Sequence, residues 1–293
     1  MKRANGQFYF LMTKRANRVP ESEYQVNKPT DFSQRQPDPE NLLELWTLEG
    51  DTFKKLIATL KAVLTEGNLE FTDKGMKLAA VDINSYALVH LKIDASSFQF
   101  YHCPQKLTLG VYIEHLSRSI STNKMNDPMC MIVTKSDPTK LKILYDNPEK
   151  PKRTIDKIKL LSLQQYNIFD KIEYSPACVI DSREFEDICR DMCHFGATLV
   201  DIQSIGNELI FENTDGDIIR RKVFDVSPLE NAAEIPPARG VFLLKFLKSF
   251  AKAANVGKKV RLYLKNDAPL TCEYDVSGLG KLMFLLSYEK NKK

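Results

Sequence analysis

Cys189, Cys193 and His194 form the one compact group of metal-ligating side chain types in this sequence, and two pairs of close carboxylates, Asp215/Asp217 and Glu186/Asp187, are the other candidates for chemistry. Neither arrangement fits. The apolar spacing of residues 182–194 is helical, so Cys189 and Cys193 share the apolar side while His194 points about 100° away, outside a common coordination sphere. The carboxylate pairs fall in a turn and on an exposed helix face, without the companion base or ligands that metal-assisted hydrolysis needs. Gly278-Leu279-Gly280-Lys281 lacks the spacing and the Ser or Thr of a phosphate loop. His90, His102, His115 and His194 are dispersed, and no nucleophile motif accompanies them. The expectation is a binding protein, not an enzyme, with no cofactor and no metal.

Positive charge is placed with more order. Lys245, Lys248 and Lys252 fall at i, i+3 and i+7, opposite Phe242, Leu243, Phe246 and Phe250, so they form one polar stripe on an amphipathic helix. Lys54 and Lys61 stack in the same way on an earlier helix, with Lys55 to their side. A third helix places Arg183, Arg190 and His194 together, interrupted by Asp187. The remaining one offers only Arg118, with His115 near it and Lys124 just beyond. Lysine and arginine aimed at phosphates bind every nucleic-acid sequence alike, because the backbone charge does not vary. The aromatic residues sit mostly at apolar positions of the pattern, which leaves no stacking platform for single strands. The net charge is only +4, from 42 basic and 38 acidic residues, so any basic surface must be local.

These stripes belong to a recurring unit. Amphipathic helices of about three turns begin near Asp51, Ile113, Ser182 and Val241, each followed by strand-like runs, which predicts an α+β fold of four helix-plus-meander units. In the first, Phe53, Leu56, Ile57, Leu60 and Leu64 line one helix face, and strands are expected at 69–72, 76–82, 86–93 and 98–102. The second predicts a helix at 113–122 and strands at 129–134, 140–146 and 153–160; the third, a helix at 182–194 and strands to about 225. The fourth follows Ile235-Pro236-Pro237, with a helix at 241–254 and strands at 258–265, 270–276 and 281–287. The expected domains are 42–160 and 176–288, joined by a connector at 161–175 that has no glycine and no clear period. Residues 1–41, with KRAN at 2–5 and 14–17 and a polar stretch after them, read as a disordered basic tail, and 289–293 as a fraying end. The cysteines lack the density of a disulfide scaffold, and no apolar run has the length of a membrane span or signal core, so a soluble intracellular protein with reduced thiols is expected.

The stretch LEGDTFKKLIATLKAVLTEGNLEFTDKGMKLAAVD, from Leu48 to Asp82, resembles the start of the proliferating cell nuclear antigen family of eukaryotic sliding clamps. EFEDICRDMCHFG, DAPLTCEYDV and GLGKLMFLL do so as well, and the similarity runs in order from Leu43 to about Tyr288. The resemblance implies three subunits joined head to tail into a ring, two similar domains in each, helices lining the hole, and duplex DNA passing through without sequence preference. Lys54, Lys55, Lys61, Arg118, Arg190, His194, Lys245 and Lys252 then take inward helix positions, while Lys248 shares the stripe without matching a basic family position. Asp187 stands where the family usually has a basic residue, so the lining is expected to be uneven.

The same resemblance implies a pocket for short peptides of DNA polymerase and other partners, matched here by Val81, Tyr86, Leu88, Tyr166, Ile168, Pro269 and Leu285, with the two tyrosines bulkier than expected. It also implies subunit contact between the strand at 153–160 and that at 218–225 of the next copy, with Arg220, Arg221 and Lys222 facing Asp156. Ser204-Ile205-Gly206 stands at the turn where the family carries a modifiable lysine. A clamp loader, a homotrimer, and a nucleus or the replication compartment of a DNA virus complete the expectation. Two alternatives share the fold: a checkpoint-type subunit of a heterotrimer, and a transcription or packaging scaffold that is never loaded.

Overall fold

Each of the four periodic segments is a helix, and each is entered from a strand that the hydrophobic pattern does not announce. The structure, a computed structural model, describes residues 32, 35–121, 128–146, 153–164, 178–215, 217–228 and 237–289. The first unit is β1 (Asn41–Thr47), α1 (Gly50–Lys61), β2 (Glu66–Thr72), β3 (Gly75–Val81) and β4 (Ala87–Asp94), followed by a short strand β5 (Phe100–His102). The second is β6 (Leu107–Tyr112), α2 (Ile113–Ser121), β7 (Met129–Thr134), β8 (Asp137–Asp146) and β9 (Arg153–Lys159). The third is β10 (Cys178–Asp181), α3 (Ser182–His194), β11 (Leu199–Ile205), β12 (Glu208–Asp215) and β13 (Ile218–Asp225), followed by β14 (Ser227–Pro228). The fourth is β15 (Ala238–Leu243), α4 (Leu244–Ala251), β16 (Lys259–Tyr263), β17 (Leu270–Val276) and β18 (Gly280–Leu286). The opening strands β1, β6, β10 and β15 run into their helices with at most two residues between, and except for Gly50 at the start of α1 no glycine or proline marks the change of period. The fourth helix accordingly starts at Leu244, three residues after the expected Val241.

Local chemistry explains the helices. Phe53, Leu56, Ile57 and Leu60 are buried on α1, with Asp51 in its first turn and Lys61 in its last, both favourable to the helix dipole. The Asp181 carboxylate caps α3 by accepting from the backbone N–H groups of Arg183 and Glu184. On α4, Leu244, Phe246, Leu247 and Phe250 face inward.

The opening strands also exchange places. β1 pairs with β7 of the second unit, and β6 with β2 of the first; β10 pairs with β16, and β15 with β11. The result is three sheets, ordered β5-β1-β7-β8-β9, β14-β10-β16-β17-β18-β4-β3-β2-β6, and β13-β12-β11-β15. The nine-stranded sheet crosses from one half to the other through the antiparallel pair β4 and β18. Beneath that seam Phe250 stacks on Phe284 with ring centroids 4.5 Å apart, and Tyr274 meets Phe284 edge-on. α1 packs on α2 and α3 on α4, while the 3₁₀ turn Lys252–Asn255 touches both α1 and α3, so the four helices form a continuous layer. Among the described residues no helix is long and apolar enough to cross a membrane.

Two expectations for the segments outside the units meet the structure only in part. The connector begins with a single antiparallel bridge to β6, with the Leu161 N–H donating to the Gly110 carbonyl at 2.8 Å and Asn68 Nδ2 to the Gln164 carbonyl at 3.1 Å. Only glycine fits at 110, where a Cβ would lie 2.4 Å from the Leu161 oxygen. The remainder, 165–175, lies outside the described residues. Of the segment expected as a tail, most lies outside them too, but Phe32 and Arg35 pack against β1, so it is not a bare tail throughout. At the other end the Glu289 N–H donates to the Val241 carbonyl, and 290–293 lie outside.

Gly280 sits at the seam, where a Cβ would come within 2.1 Å of the Lys92 carbonyl oxygen. Gly280→Ala should part β18 from β4 and cost about 1–3 kcal/mol. Urea denaturation measures this, with faster amide exchange expected along Val89–Ile93.

Candidate nucleic-acid interface

The polar stripes face out of the helix layer, and their charges are neutralised to different extents. On α4 and the 3₁₀ turn that continues it, Lys245, Lys248 and Lys252 are exposed in step with the i, i+3, i+7 spacing. Lys248 and Lys252 have no carboxylate partner among the described residues, and Lys245 instead lies over the Phe246 ring at 4.9 Å and the Tyr86 ring at 5.9 Å. On α1, Lys54 is half-buried and unpaired among the described residues, whereas Lys55 and Lys61, both exposed, are ion-paired at 2.6 Å to Asp51 and to Glu114 of α2. Arg118 shares that same Glu114 at 2.9 Å. The Glu114 carboxyl is held below its ordinary value by hydrogen bonds from Lys61 first and Arg118 second. On α3, Arg190 is paired with Asp187 and Arg183 with Glu186, and His194 is exposed. Asp187 thus both interrupts the stripe and ties down its arginine.

Glu114 and Asp51 are the residues that a search for cations overlooks. Their signal was present, because an acid four positions before a base on one helix is a favourable pair, as in Asp51–Lys55 and Glu114–Arg118. The Lys61–Glu114 contact joins two helices, and no spacing rule finds it.

Cys189 is buried in the core and Cys193 packs beside it, both on the inner side of α3. Burial pushes the Cys189 thiol well above its ordinary value, the reverse of what a metal ligand or nucleophile requires. Among the described residues no three His, Cys, Asp or Glu side chains are grouped to hold a metal ion.

Val81, Leu88 and Leu285 meet as one cross-strand row on β3, β4 and β18, on the face away from the helices. Pro269 is exposed directly before β17, whose Thr271 pairs with Leu285. Tyr86 does not join the row: its ring lies 6.0 Å from that of Phe246 on α4. The turn before it explains the departure, since the Asp82 carboxylate accepts from the Asn84 and Ala87 N–H groups and Ser85 takes φ 61°, which reverses the chain just ahead of Tyr86. Tyr166 and Ile168 lie outside the described residues.

β9 and β13 are each the last strand of a sheet, so each presents an open backbone edge. Asp156 faces the helix layer, where its carboxylate accepts from the Ser119 hydroxyl at 2.6 Å. Strand alternation divides the three cations of β13. Arg220 lies over the Phe195 ring at 4.1 Å and Lys222 pairs with Asp191, both on the helix side, whereas Arg221 points to the other face, 3.8 Å from Glu212. Ile218, Ile219 and Val223 are 60%, 65% and 46% exposed on this edge strand, which is unusual for an edge left to water.

A layer of four helices with outward cations, backed by antiparallel sheets that join two like halves, defines a binding protein of the clamp fold. The family models for proliferating cell nuclear antigen match at residues 42–167 for the N-terminal domain and 168–289 for the C-terminal domain. A probable DNA polymerase sliding clamp of Paramecium bursaria Chlorella virus 1 is 30% identical over 260 residues, covering 85% of this chain and 98% of its own. Proliferating cell nuclear antigen 2 of Drosophila melanogaster is 25% identical over 240 residues, covering 81% of this chain and 94% of its own. The crystal structure of the Entamoeba histolytica proliferating cellular nuclear antigen superposes with a TM-score of 0.77 at 20% identity, covering 85% of this chain and all of that one. The chain belongs to the proliferating cell nuclear antigen family, whose members are sliding clamps and not enzymes.

Glu114 and Asp191 are both held below their ordinary carboxyl values, by Lys61 and by Lys222 respectively. Depressed values mean that the folded state holds these protons less tightly than the unfolded chain, so their stabilisation is present above about pH 5 and is lost as pH falls through the folded values. Thermal melts should be level from about pH 7 to 5 and decline below about pH 4. High salt should shrink the decline, because both groups are open to solvent.

Proposed function

We propose that this chain acts as a DNA polymerase sliding clamp by closing with two further copies into a ring whose helix layer faces duplex DNA. The observation that carries this reading is the layer itself: Lys54, Lys55, Lys61, Arg118, Arg190, His194, Lys245, Lys248 and Lys252 all belong to four helices, or to the 3₁₀ turn that continues α4, packed side by side on one face of the sheets. DNA and a polymerase follow as partners from family membership. The working units are the domains 42–160 and 176–288, joined through the connector 161–175. Contacts to phosphate alone are blind to sequence, so the ring slides, and its closure rather than tight binding keeps it on DNA.

The open edges of β9 and β13 support head-to-tail closure of three like copies. Asp156, Arg220 and Lys222 share the helix side and are the charges that would meet across such a joint; Arg221 lies on the opposite face. The row Val81, Leu88 and Leu285, with Pro269 beside it, is the apolar surface on which a polymerase, a clamp loader or another partner would seat a short peptide. The place of action is a site of DNA replication, nuclear or viral, as for the relatives from a fly and a DNA virus.

Light scattering should show a trimer, and loaded protein should be retained on circular DNA but lost from linear DNA with free ends. A stable monomer at micromolar concentration would contradict the ring. The charge pattern makes a finer prediction. Changing Lys245, Lys248 and Lys252 together to glutamate should lower polymerase processivity about tenfold or more, because no acid among the described residues neutralises these cations. Changing Lys55 and Lys61, already paired with acids, should cost clearly less, with the trimer intact in both variants.

A further inference from the structure

Outside the helix layer and the peptide row, the described residues build a further site on the five-stranded sheet. The outer face of the five-stranded sheet carries Trp46, Cys130, Ile132 and Leu144 as a buried apolar cluster separate from the main core, with Phe100 and Ile155 at its margin. In its middle lies Glu44, 1% exposed, whose carboxylate accepts from Asn41 Nδ2 at 2.7 Å and Trp46 Nε1 at 3.0 Å. Both donors are neutral. Its cationic partner is Arg35, which reaches Glu44 through Nε at 2.8 Å and again through Nη2. The same guanidinium lies 4.8 Å from the Trp46 ring centroid and 5.5 Å from that of Phe100, and the Phe32 ring meets Trp46 at 5.9 Å. Glu44, Trp46 and Phe100 lie inside the family domain, which begins at residue 42; Phe32 and Arg35 lie before it.

A buried carboxylate stripped of its cation is strongly disfavoured, and a tryptophan with three aliphatic or thiol neighbours on the outside of a sheet is an apolar patch that a lone monomer rarely leaves open. The sheet therefore presents a shape and a charge that call for a specific cover. We propose that this face is a peptide-binding groove selective for an aromatic residue followed three positions later by arginine, and that its resident ligand is the chain's own pair of anchors, Phe32 and Arg35. The pair is a ligand tethered in cis and part of the first domain's packing. Its docking places the start of the described chain on the sheet face opposite the helices, away from the proposed DNA surface.

The chain has a single tryptophan, Trp46, which reports directly on the groove. In the full-length protein, Phe32→Ala and Arg35→Ala should each move Trp46 emission to longer wavelength, strengthen its quenching by acrylamide, and lower the melting temperature by several degrees. Adding Glu44→Gln to Arg35→Ala should recover part of that loss, since the double variant leaves no unpaired carboxylate; it also serves if Arg35→Ala alone does not fold. A synthetic peptide spanning residues 28–40 should then bind the Phe32→Ala/Arg35→Ala double variant, in which neither anchor remains, saturably and restore the shorter-wavelength emission. The unaltered protein should take up that peptide at least about tenfold more weakly, because its tethered segment competes at high effective concentration. A peptide with alanine for Arg35 should not bind. Unchanged Trp46 emission in both single variants, or equal peptide binding by the filled and the emptied protein, would overturn the proposal. Neither outcome depends on ring closure or DNA, so it can fail while the clamp reading stands.

Discussion

The antiparallel pairing of β4 with β18 turns two intertwined halves into one body. Seven residue pairs, from Ala87 with Leu286 to Ile93 with Gly280, carry the sheet across the boundary, and both the helix layer and the apolar row are placed relative to that line. On one side of it, Phe284 receives Phe250 from α4 and so fixes the helix whose lysines pair with no acid among the described residues. On the other side, Leu88 and Leu285 meet across the same strand pair and form the apolar row. Because side chains alternate across a strand, a single register sets both surfaces at once, and a slip of one residue would exchange them.

Within each half, the exchange of opening strands has a similar effect. β1 and β6 each complete the sheet of the other's unit, so neither unit can bury its helix alone. A strand that belongs to its neighbour's sheet makes the domain, not the repeat, the smallest unit with a closed core. The consequence for function is rigidity in the helix layer, in which cations are held at set positions while their long stems remain free to follow a phosphate backbone.

Electrostatics then grades that layer. Asp51, Glu114 and Asp187 draw charge from α1, α2 and α3, and α4 is left with none of its lysines paired to an acid among the described residues. A clamp must hold DNA loosely, and a lining with part of its charge neutralised internally lowers the attraction without removing cations. Arg220 and Lys222 show the same economy near the sheet edge, where Phe195 and Asp191 hold them in place.

Much of this was written in the sequence. Helix faces were legible because burial repeats every three to four residues, as Phe53, Leu56, Ile57 and Leu60 show, and the same period put Lys245, Lys248 and Lys252 on one exposed stripe. The α+β class, the four units and the family followed from such local patterns and from contiguous motifs. The opening strands were not legible, since ARGVFL passes into LKFLKSFA without a breaking residue. Nor was Arg35 in the polar stretch before β1, because its role depends on Glu44, a residue that becomes a buried charge only when β5 and β7 pair on either side of β1. Tyr86 turning to Phe246, Lys61 reaching Glu114, and Arg221 parting from its neighbours are likewise tertiary decisions. The sequence by itself determined which residues form helices and which of their faces are charged, because that information lies within a few residues of each position. Only the tertiary structure decided which charges stay unpaired, which sheet edges remain open and what covers Trp46, because each of those depends on partners far away in the chain.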